Sequence, residues 1–171
     1  MTQQEILRPI VPILMGSRSD MSHAEAIANA LTDFGIQSEL RIGSAHKTPE
    51  HVLKIIADYE ADPRPKVYIS IAGRSNALSG FLDAQVSAPV IACPPSSSTF
   101  AGADIYSSLR MPSGVAPGVV LEPVNAALLA AKILALFDEN VKAALLDFQK
   151  QKRETIIQDD AEIQSASVRT T

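Results

Sequence analysis

The chain has little of what several classes of protein require. Its 171 residues include one cysteine, Cys93, which excludes an intramolecular disulfide framework and fits a reducing compartment. The net charge is −4, and no run of Lys and Arg precedes "QKQKR" at 149–153. Because nucleic acids and anionic membranes attract basic surfaces, neither is expected as a partner.

Long apolar runs and a secretory start are missing as well. The longest mainly apolar stretch, 126–137, is interrupted by Lys132 and is too short to span a bilayer. The opening "MTQQEILRP" has no basic start leading into an apolar core, so no signal peptide is expected. The length fits one domain, assigned to residues 1–163, with a frayed tail at 164–171. A cytoplasmic protein is therefore expected.

Apolar runs rich in β-branched residues alternate with helical patterns. Strands are predicted at "PIVPILM" (9–15), "SELRIG" (38–43), "KVYISIA" (66–72), "APVIAC" (88–93) and "GVVLEP" (118–123). Helical spacing occupies 22–35, ended by Gly35, and 48–61, with Thr48 as cap and Pro49 as first residue. This alternation predicts an α/β fold with a doubly wound, flavodoxin-like parallel sheet and an additional C-terminal helix.

Two stretches do not fit a plain compact monomer. The helix predicted at 126–137 is apolar on all sides except at Lys132, so it must be covered all round. We expect a second subunit to supply that cover; the alternative is a central helix of a monomer. The Pro/Ser/Gly-rich connection at 94–118 is unusually long, and such connections are usually functional when ordered. One short helix is expected in it, around Ala103 to Arg110.

Small polar residues follow the predicted strands, at the edge where open α/β sheets bind ligands. These segments are "GSRSD" (16–20), "GSAHKTP" (43–49), "AGRSNALSG" (72–80) and "CPPSSS" (93–98). Small side chains let a ligand reach backbone N–H groups, and helix N-termini favour anions. Their convergence predicts a site for a phosphorylated ligand.

The segment "GSRSD" has two interpretations. It could be a turn with Asp20 or Ser22 capping the next helix. Alternatively, Ser17 and Ser19 bind phosphate or hydroxyl groups while the Asp20 carboxylate accepts from a sugar. A carboxylate suits a ribose diol that faces away from the phosphate.

His46 and Lys47 lie between a strand end and a helix start, at the rim of the predicted crevice. A histidine there can remove or deliver a proton, and Lys47 supplies positive charge for an anion. The alternative is a solvent-exposed turn. His51 is expected on the polar face of its helix, and His23 could pack, cap or touch the ligand.

The sequence gives no support for a metal site, a serine hydrolase or a reactive cysteine. The histidines lack metal-ligand spacing, so no metal site is predicted. There is no G-x-S-x-G motif or Ser-His-Asp order. Cys93 ends an apolar strand before two prolines, which favours an inert buried thiol. Arg110 could reach a phosphate or form a surface ion pair.

Four segments together resemble the phosphoribosylaminoimidazole carboxylase family (PurE type) of purine biosynthesis. They are "MGSRSDMSHAE", "GSAHKTPEH", "IAGRSNALSGF" and "SSLRMPSG", and the resemblance runs from Ile10 to Phe137. It implies a three-layer flavodoxin-like fold and a symmetric homo-oligomer, a tetramer or octamer. It also implies 5-aminoimidazole ribonucleotide (AIR) and CO2 as partners.

The resemblance is greater to one of the family's two classes. The mutase class, which rearranges N5-carboxyaminoimidazole ribonucleotide, typically has S-A-H-R-T-P and A-H-L-P-G, whereas this chain has Lys47 and "SNALSG" at 75–80. It is similar to the class that joins CO2 reversibly to AIR, giving 4-carboxy-5-aminoimidazole ribonucleotide (CAIR) without ATP, biotin or metal. The alternatives are the mutase, or a non-catalytic nucleotide- or flavin-binding module.

The resemblance also implies a role for each matching residue. His46 is the base that takes the C4 proton, and Lys47 with amides near Gly73 stabilises the developing carboxylate. Arg74 and Asn76 are expected to tune the CO2 pocket. The implied substrate-binding set is Gly16, Ser17, Ser19, Asp20, Ser44, Ala45, Lys47, Gly73, Arg74, Ser75 and Asn76.

Overall fold

A five-stranded parallel sheet forms the centre of the protein. The structure, a computed structural model, describes residues 7–168, with side chains through 166. The sheet order is β2-β1-β3-β4-β5, with strands β1 Ile10–Met15, β2 Gln37–Ile42, β3 Tyr68–Ile71, β4 Val90–Ala92 and β5 Gly118–Val119. This order is that of the flavodoxin-like fold. The predicted fold class is confirmed.

Helices connect the strands and cover the sheet. They are α1 Met21–Thr32, α2 Pro49–Glu60, α3 Ala77–Asp83, α4 Tyr106–Leu109, α5 Pro123–Leu134 and α6 Glu139–Val168. Short 3-10 turns lie at Arg18–Asp20 and Thr99–Ile105. Across residues 7–168, none of the helices has the length and apolarity that a membrane crossing requires.

The alternating side chains of β1 divide the core into two layers. Val11, Ile13 and Met15 belong to the apolar cluster that contains α1 and α5. Ile10 and Leu14 belong to the other cluster, which contains α2 and α3. All five side chains are fully buried. The sheet therefore has helices on both faces, which accounts for the near-continuous apolar sequence of β1.

A proline occupies the middle of this central strand. Pro12 pairs with Glu39 of β2, while the ladder to β3 consists of an isolated bridge at Ile10 and pairs from Ile13 to Met15. Proline has no N–H to donate, so it is tolerated only where a ladder bond is missing. Pro12 lies in that gap of the β1–β3 ladder.

Helix α1 ends in the way that its sequence predicts, although its last helical residue is Thr32. Gly35 has a φ of 68°, in the left-handed region. Its N–H donates to the Thr32 carbonyl at 2.9 Å, and the Ile36 N–H donates to the Leu31 carbonyl at 3.1 Å. This pair of bonds is the Schellman arrangement, which favours glycine at the left-handed position.

The last strand is shorter than predicted. The fifth strand was expected over 118–123, but β5 is limited to Gly118–Val119. Pro123 is the first residue of α5, and Glu122 occupies the cap position. Proline suits the first helical turn because its missing N–H would have no partner there. The start of α5 therefore takes the last two residues that the sequence pattern assigned to the strand, one as its cap and one as its first residue.

Helix α5 is covered on one side by its own chain. Its buried residues are Ala126, Ala127, Ala130, Ala131 and Leu134. Beside them Val124 is 50% exposed, Leu136 is 76% exposed and Phe137 is 71% exposed. The apolar stretch is thus half covered within one chain, and cover by a second subunit remains a prediction.

The last helix, α6, packs against the rest of the chain at its start. Val141 and Leu145 are buried, and the Phe148 ring meets Phe34 edge-on with centroids 5.2 Å apart. Every residue from 150 to 166 is exposed. The expected frayed tail, 164–171, is helical through Val168, and residues 169–171 lie outside the described part of the chain.

Candidate active site

One cavity of about 570 Å³ opens at the carboxyl ends of β1 to β4. Every residue of the predicted site lines it except Asn76. The cavity also has lining residues that the prediction left out, although "CPPSSS" had been recognised as a strand end. The full lining is Gly16, Ser17, Ser19, Asp20, Ser44, Ala45, His46, Lys47, Ala72, Gly73, Arg74, Ser75, Leu78, Pro95, Ser96 and Ser97.

The loop after β1 does not cap α1 through Asp20 or Ser22 as one interpretation of "GSRSD" expected, and ligand binding by Ser17, Ser19 and Asp20 stays a prediction. Ser17 caps the short 3-10 turn, because its Oγ accepts from the Ser19 N–H at 3.2 Å. Asp20 occupies the cap position of α1 but makes no side-chain bond that caps the helix. Burial raises the pKa of the Asp20 carboxyl, and hydrogen bonding to Ser17 and the nearby His23 oppose that rise. The carboxylate therefore lines the cavity without serving its own helix.

The loop after β2 is a closed turn that carries His46 and Lys47. The Thr48 N–H donates to the Ser44 carbonyl at 2.8 Å, and the Ser44 N–H donates to Thr48 Oγ1 at 3.1 Å. Ala45, His46 and Lys47 form the tip of this turn, with His46 and Lys47 exposed at the cavity rim. The predicted N-cap position of Thr48 is confirmed, but its hydroxyl closes the preceding turn instead of bonding to α2.

The loop after β3 contains a strained residue beside the cavity. Arg74 has a φ of 59°, a left-handed conformation. That conformation costs a residue with a side chain about 1–2 kcal/mol. Gly73, Arg74 and Ser75 line the cavity, whereas Asn76 is 3% exposed and its Oδ1 accepts from the Ser79 N–H at 3.1 Å. Asn76 is thus the cap of α3 and is not among the residues that line the cavity, and its predicted contact with substrate stays a prediction.

The long connection after β4 forms one wall of the cavity through Pro95, Ser96 and Ser97. It then makes the 3-10 turn, in which Phe100 and Ala101 have φ values of 51° and 52°. The short helix expected around Ala103 to Arg110 is α4. Arg110 is exposed and lies outside the cavity lining.

His23 and Cys93 form a pair behind the cavity. His23 Nε2 lies 3.2 Å from Cys93 Sγ, and the thiol is fully buried. Burial raises the pKa of Cys93 to about 12. Burial likewise lowers the pKa of His23. At neutral pH the thiol is protonated, as expected for an inert cysteine.

His51, the remaining histidine, is exposed on α2. Within residues 7–168, no group of three or more His, Cys, Asp and Glu is placed to hold a metal ion.

Comparison with known proteins identifies the family. A family model described as AIR carboxylase matches residues 10–155. The chain belongs to the AIR carboxylase family. As an AIR carboxylase family member, it is 59% identical to the phosphoribosylaminoimidazole carboxylase of Treponema denticola over 157 residues, which are 92% of this chain and 99% of that protein. The predicted family is confirmed.

Other AIR carboxylase relatives extend the similarity to archaea and animals. The phosphoribosylaminoimidazole carboxylase of Archaeoglobus fulgidus is 57% identical, over 88% of this chain and 83% of that protein. A mouse bifunctional phosphoribosylaminoimidazole carboxylase/succinocarboxamide synthetase is 46% identical, over 79% of this chain and 32% of that protein. The crystal structure of Treponema denticola PurE superposes with a TM-score of 0.89, covering 91% of this chain and 98% of that one. This chain therefore has the same fold as Treponema denticola PurE.

Proposed function

We propose that the protein joins CO2 to C4 of AIR, giving CAIR, without ATP, biotin or a metal ion. The observation that carries the proposal is that His46 and Lys47 line the same cavity as the loops at 16–20 and 73–75. This arrangement occurs in a chain that is 59% identical to a named phosphoribosylaminoimidazole carboxylase. The reaction belongs to purine biosynthesis, and the expected location is the cytoplasm.

The chemistry requires a base and little activation of the electrophile. C4 of AIR is enamine-like, because the neighbouring exocyclic amine donates electron density to it. The C4 electron pair forms a bond to the carbon of CO2, and one C=O electron pair moves onto oxygen. His46 then takes the C4 proton, which restores the aromatic ring. In the reverse direction the same imidazole returns that proton.

Positive charge and N–H donors complete the carboxylation site. Lys47 lies next to His46 and carries the charge that a new carboxylate needs. Amides near Gly73 donate to the forming carboxylate as an oxyanion hole does. On the nucleotide, Ser17, Ser19, Ser44 and Ser75 contact phosphate or hydroxyl groups. The Asp20 carboxylate accepts from the ribose diol, and Gly16, Ala45 and Arg74 form the adjoining walls.

The carboxylase is favoured over the mutase by residues that line the cavity. Lys47 stands where the mutase class has arginine, and the second histidine motif is replaced by "SNALSG" at 75–80. The similarity to an animal bifunctional carboxylase supports the same class. A flavin-binding module is less well supported, because no aromatic residue of the described chain lines this cavity.

We propose that the active enzyme is a homo-oligomer, a tetramer or octamer. Leu136 and Phe137 are more than two-thirds exposed in one chain, at 76% and 71%. His46 and Lys47 are exposed as well, although carboxylation needs water kept from the reacting centre. A second copy would cover the apolar surface, and sedimentation measurements test its presence.

Labelled bicarbonate tests the reaction itself. Purified protein is incubated with AIR and ¹⁴C-bicarbonate, with and without ATP, and the label in CAIR is counted after chromatographic separation from bicarbonate at neutral pH. We expect label at the C4 carboxylate that does not depend on ATP. Absence of label in a folded, nucleotide-binding protein would refute the proposed activity.

A further inference from the structure

Ser107, on the long connection after β4, bonds to the loop that carries Arg74. The Asn76 N–H donates to Ser107 Oγ at 2.9 Å, and that oxygen lies 3.2 Å from the Arg74 carbonyl oxygen. It also lies 2.7 Å from the Asp104 carbonyl oxygen, so two acceptors compete for its single proton. One hydroxyl thus contacts the backbone on both sides of Ser75.

The Asn76 side chain strengthens the same connection. Its Oδ1 accepts from the Ser79 N–H at 3.1 Å, and its Nδ2 donates to Ser108 Oγ at 2.9 Å. Asn76 is 3% exposed and Ser108 is 1% exposed. Buried hydrogen bonds of this kind are costly to break, because the freed groups find no water. Asn76 therefore ties the loop both to α3 and to α4.

The segment between these bonds has a conformation that needs support. Arg74 has a φ of 59°, which residues with side chains rarely adopt. Such a conformation persists only where the surrounding structure holds it. The Ser107 hydroxyl contacts the carbonyl of this residue and accepts from the Asn76 N–H, on the two sides of Ser75. These contacts hold the stretch whose members Gly73, Arg74 and Ser75 line the cavity.

We propose that Ser107, acting with Asn76, is a positioning residue for the carboxylation step. Neither side chain lines the cavity, so both act through the backbone of Gly73 to Ser75. The inference rests on the proposed function, in which amides near Gly73 donate to the forming carboxylate. Since that charge develops only in the transition state, a displaced loop lowers kcat more than it raises KM.

The test compares two serine-to-alanine substitutions. Ser107→Ala removes the shared hydroxyl, and we expect kcat with AIR and bicarbonate to fall about ten- to hundredfold, with KM for AIR within about threefold of wild type. Ser107→Thr keeps the hydroxyl and should recover most of kcat.

The matched control is Ser79→Ala, because the Ser79 hydroxyl is buried without a hydrogen-bond partner in the described chain. Its backbone N–H still donates to Asn76, so its kcat should equal that of wild type.

Each alternative result has a defined meaning. A folded Ser107→Ala protein with wild-type kcat, or an equal loss in Ser79→Ala, overturns the inference. If wild type itself does not turn over AIR, the proposed function fails. Amide exchange at 73–76 then decides the positioning role: faster exchange in Ser107→Ala than in Ser79→Ala supports it, and equal exchange overturns it. If Ser107→Ala does not fold, Ser107→Cys, which retains the volume with a weak donor, takes its place under the same criteria.

Discussion

Gly43 and Val52 approach so closely that no side chain fits between them. A β-carbon placed on Gly43 would lie 2.8 Å from Cγ2 of Val52, a fully buried residue of α2. Valine is stiff about χ1 and cannot swing aside. The contact brings the start of the His46 turn against α2. It explains why the residue before Ser44 is glycine.

Gly43→Ala is therefore expected to destabilise the protein and displace the turn that carries His46. We expect a loss of about 1–3 kcal/mol in the free energy of unfolding, typical of overpacking, and a fall in kcat. Chemical denaturation and steady-state kinetics measure the two effects. The control is the double variant with Val52→Ala, which removes the clashing methyl groups. A strictly additive loss in that double variant would contradict the proposed clash.

His46→Asn should separate chemistry from binding. Asparagine retains hydrogen-bonding atoms but cannot take the C4 proton at neutral pH. We expect kcat to fall about 10²–10⁴-fold, the usual contribution of a general base. Calorimetric affinity for AIR should remain close to that of wild type. Retained turnover would remove His46 from the role of base.

Asp20→Asn should raise stability and weaken nucleotide binding together. Because burial raises the pKa of Asp20 above its usual 3.8, the folded chain binds the proton more tightly than the unfolded chain. The ionised carboxylate therefore lowers stability at neutral pH, and this penalty disappears as the pH falls through the raised pKa to 3.8. We expect the Asp20→Asn protein to unfold at higher denaturant at neutral pH, with the advantage shrinking under acid conditions.

The same substitution tests the ribose contact. Loss of a hydrogen bond to a charged acceptor should raise KM for AIR about ten- to hundredfold. Asp20→Glu, which keeps the charge on a longer chain, serves as the comparison. An unchanged KM in the asparagine variant would place the ribose elsewhere.

Cys93 should resist alkylation in the folded protein. Burial raises its pKa to about 12, so very little thiolate exists at neutral pH. Iodoacetamide at about pH 8 should modify the native protein much more slowly than the protein unfolded in urea, where a free thiol has a pKa of about 8.5. Mass spectrometry follows the added mass. Equal rates in both states would show that the thiol is accessible.

The sequence was most informative where its pattern is local. The continuous apolar sequence of β1 predicted a strand buried on both faces, and the glycine after α1 predicted where that helix ends. The site followed from position alone, because parallel strands bring their carboxyl ends to one edge. The position of His46 and Lys47 at the cavity was predicted in this way, and so was that of the loops that contain Asp20 and Arg74.

The partners of side-chain hydrogen bonds could not be predicted. The identity of Asn76 suggested contact with a ligand, but its amide is bound to Ser108, 32 residues away along the chain. Thr48 is the N-cap residue of α2 as expected, but its hydroxyl closes the turn begun by Ser44. Each of these side chains bonds to a partner within the protein, and which partner is within reach depends on how the loops pack. Whether Pro95, Ser96 and Ser97 line the cavity depends in the same way on the path of the long connection after β4.

The most direct test of the central claim compares two substrates at equal concentration. Initial rates of CAIR formation are measured from AIR with saturating CO2 and from N5-carboxyaminoimidazole ribonucleotide with CO2 removed, and His46→Asn protein gives the baseline. The proposed carboxylase should convert AIR rapidly and leave the N5-carboxy compound near that baseline. Efficient conversion of the N5-carboxy compound with no turnover of AIR would contradict it.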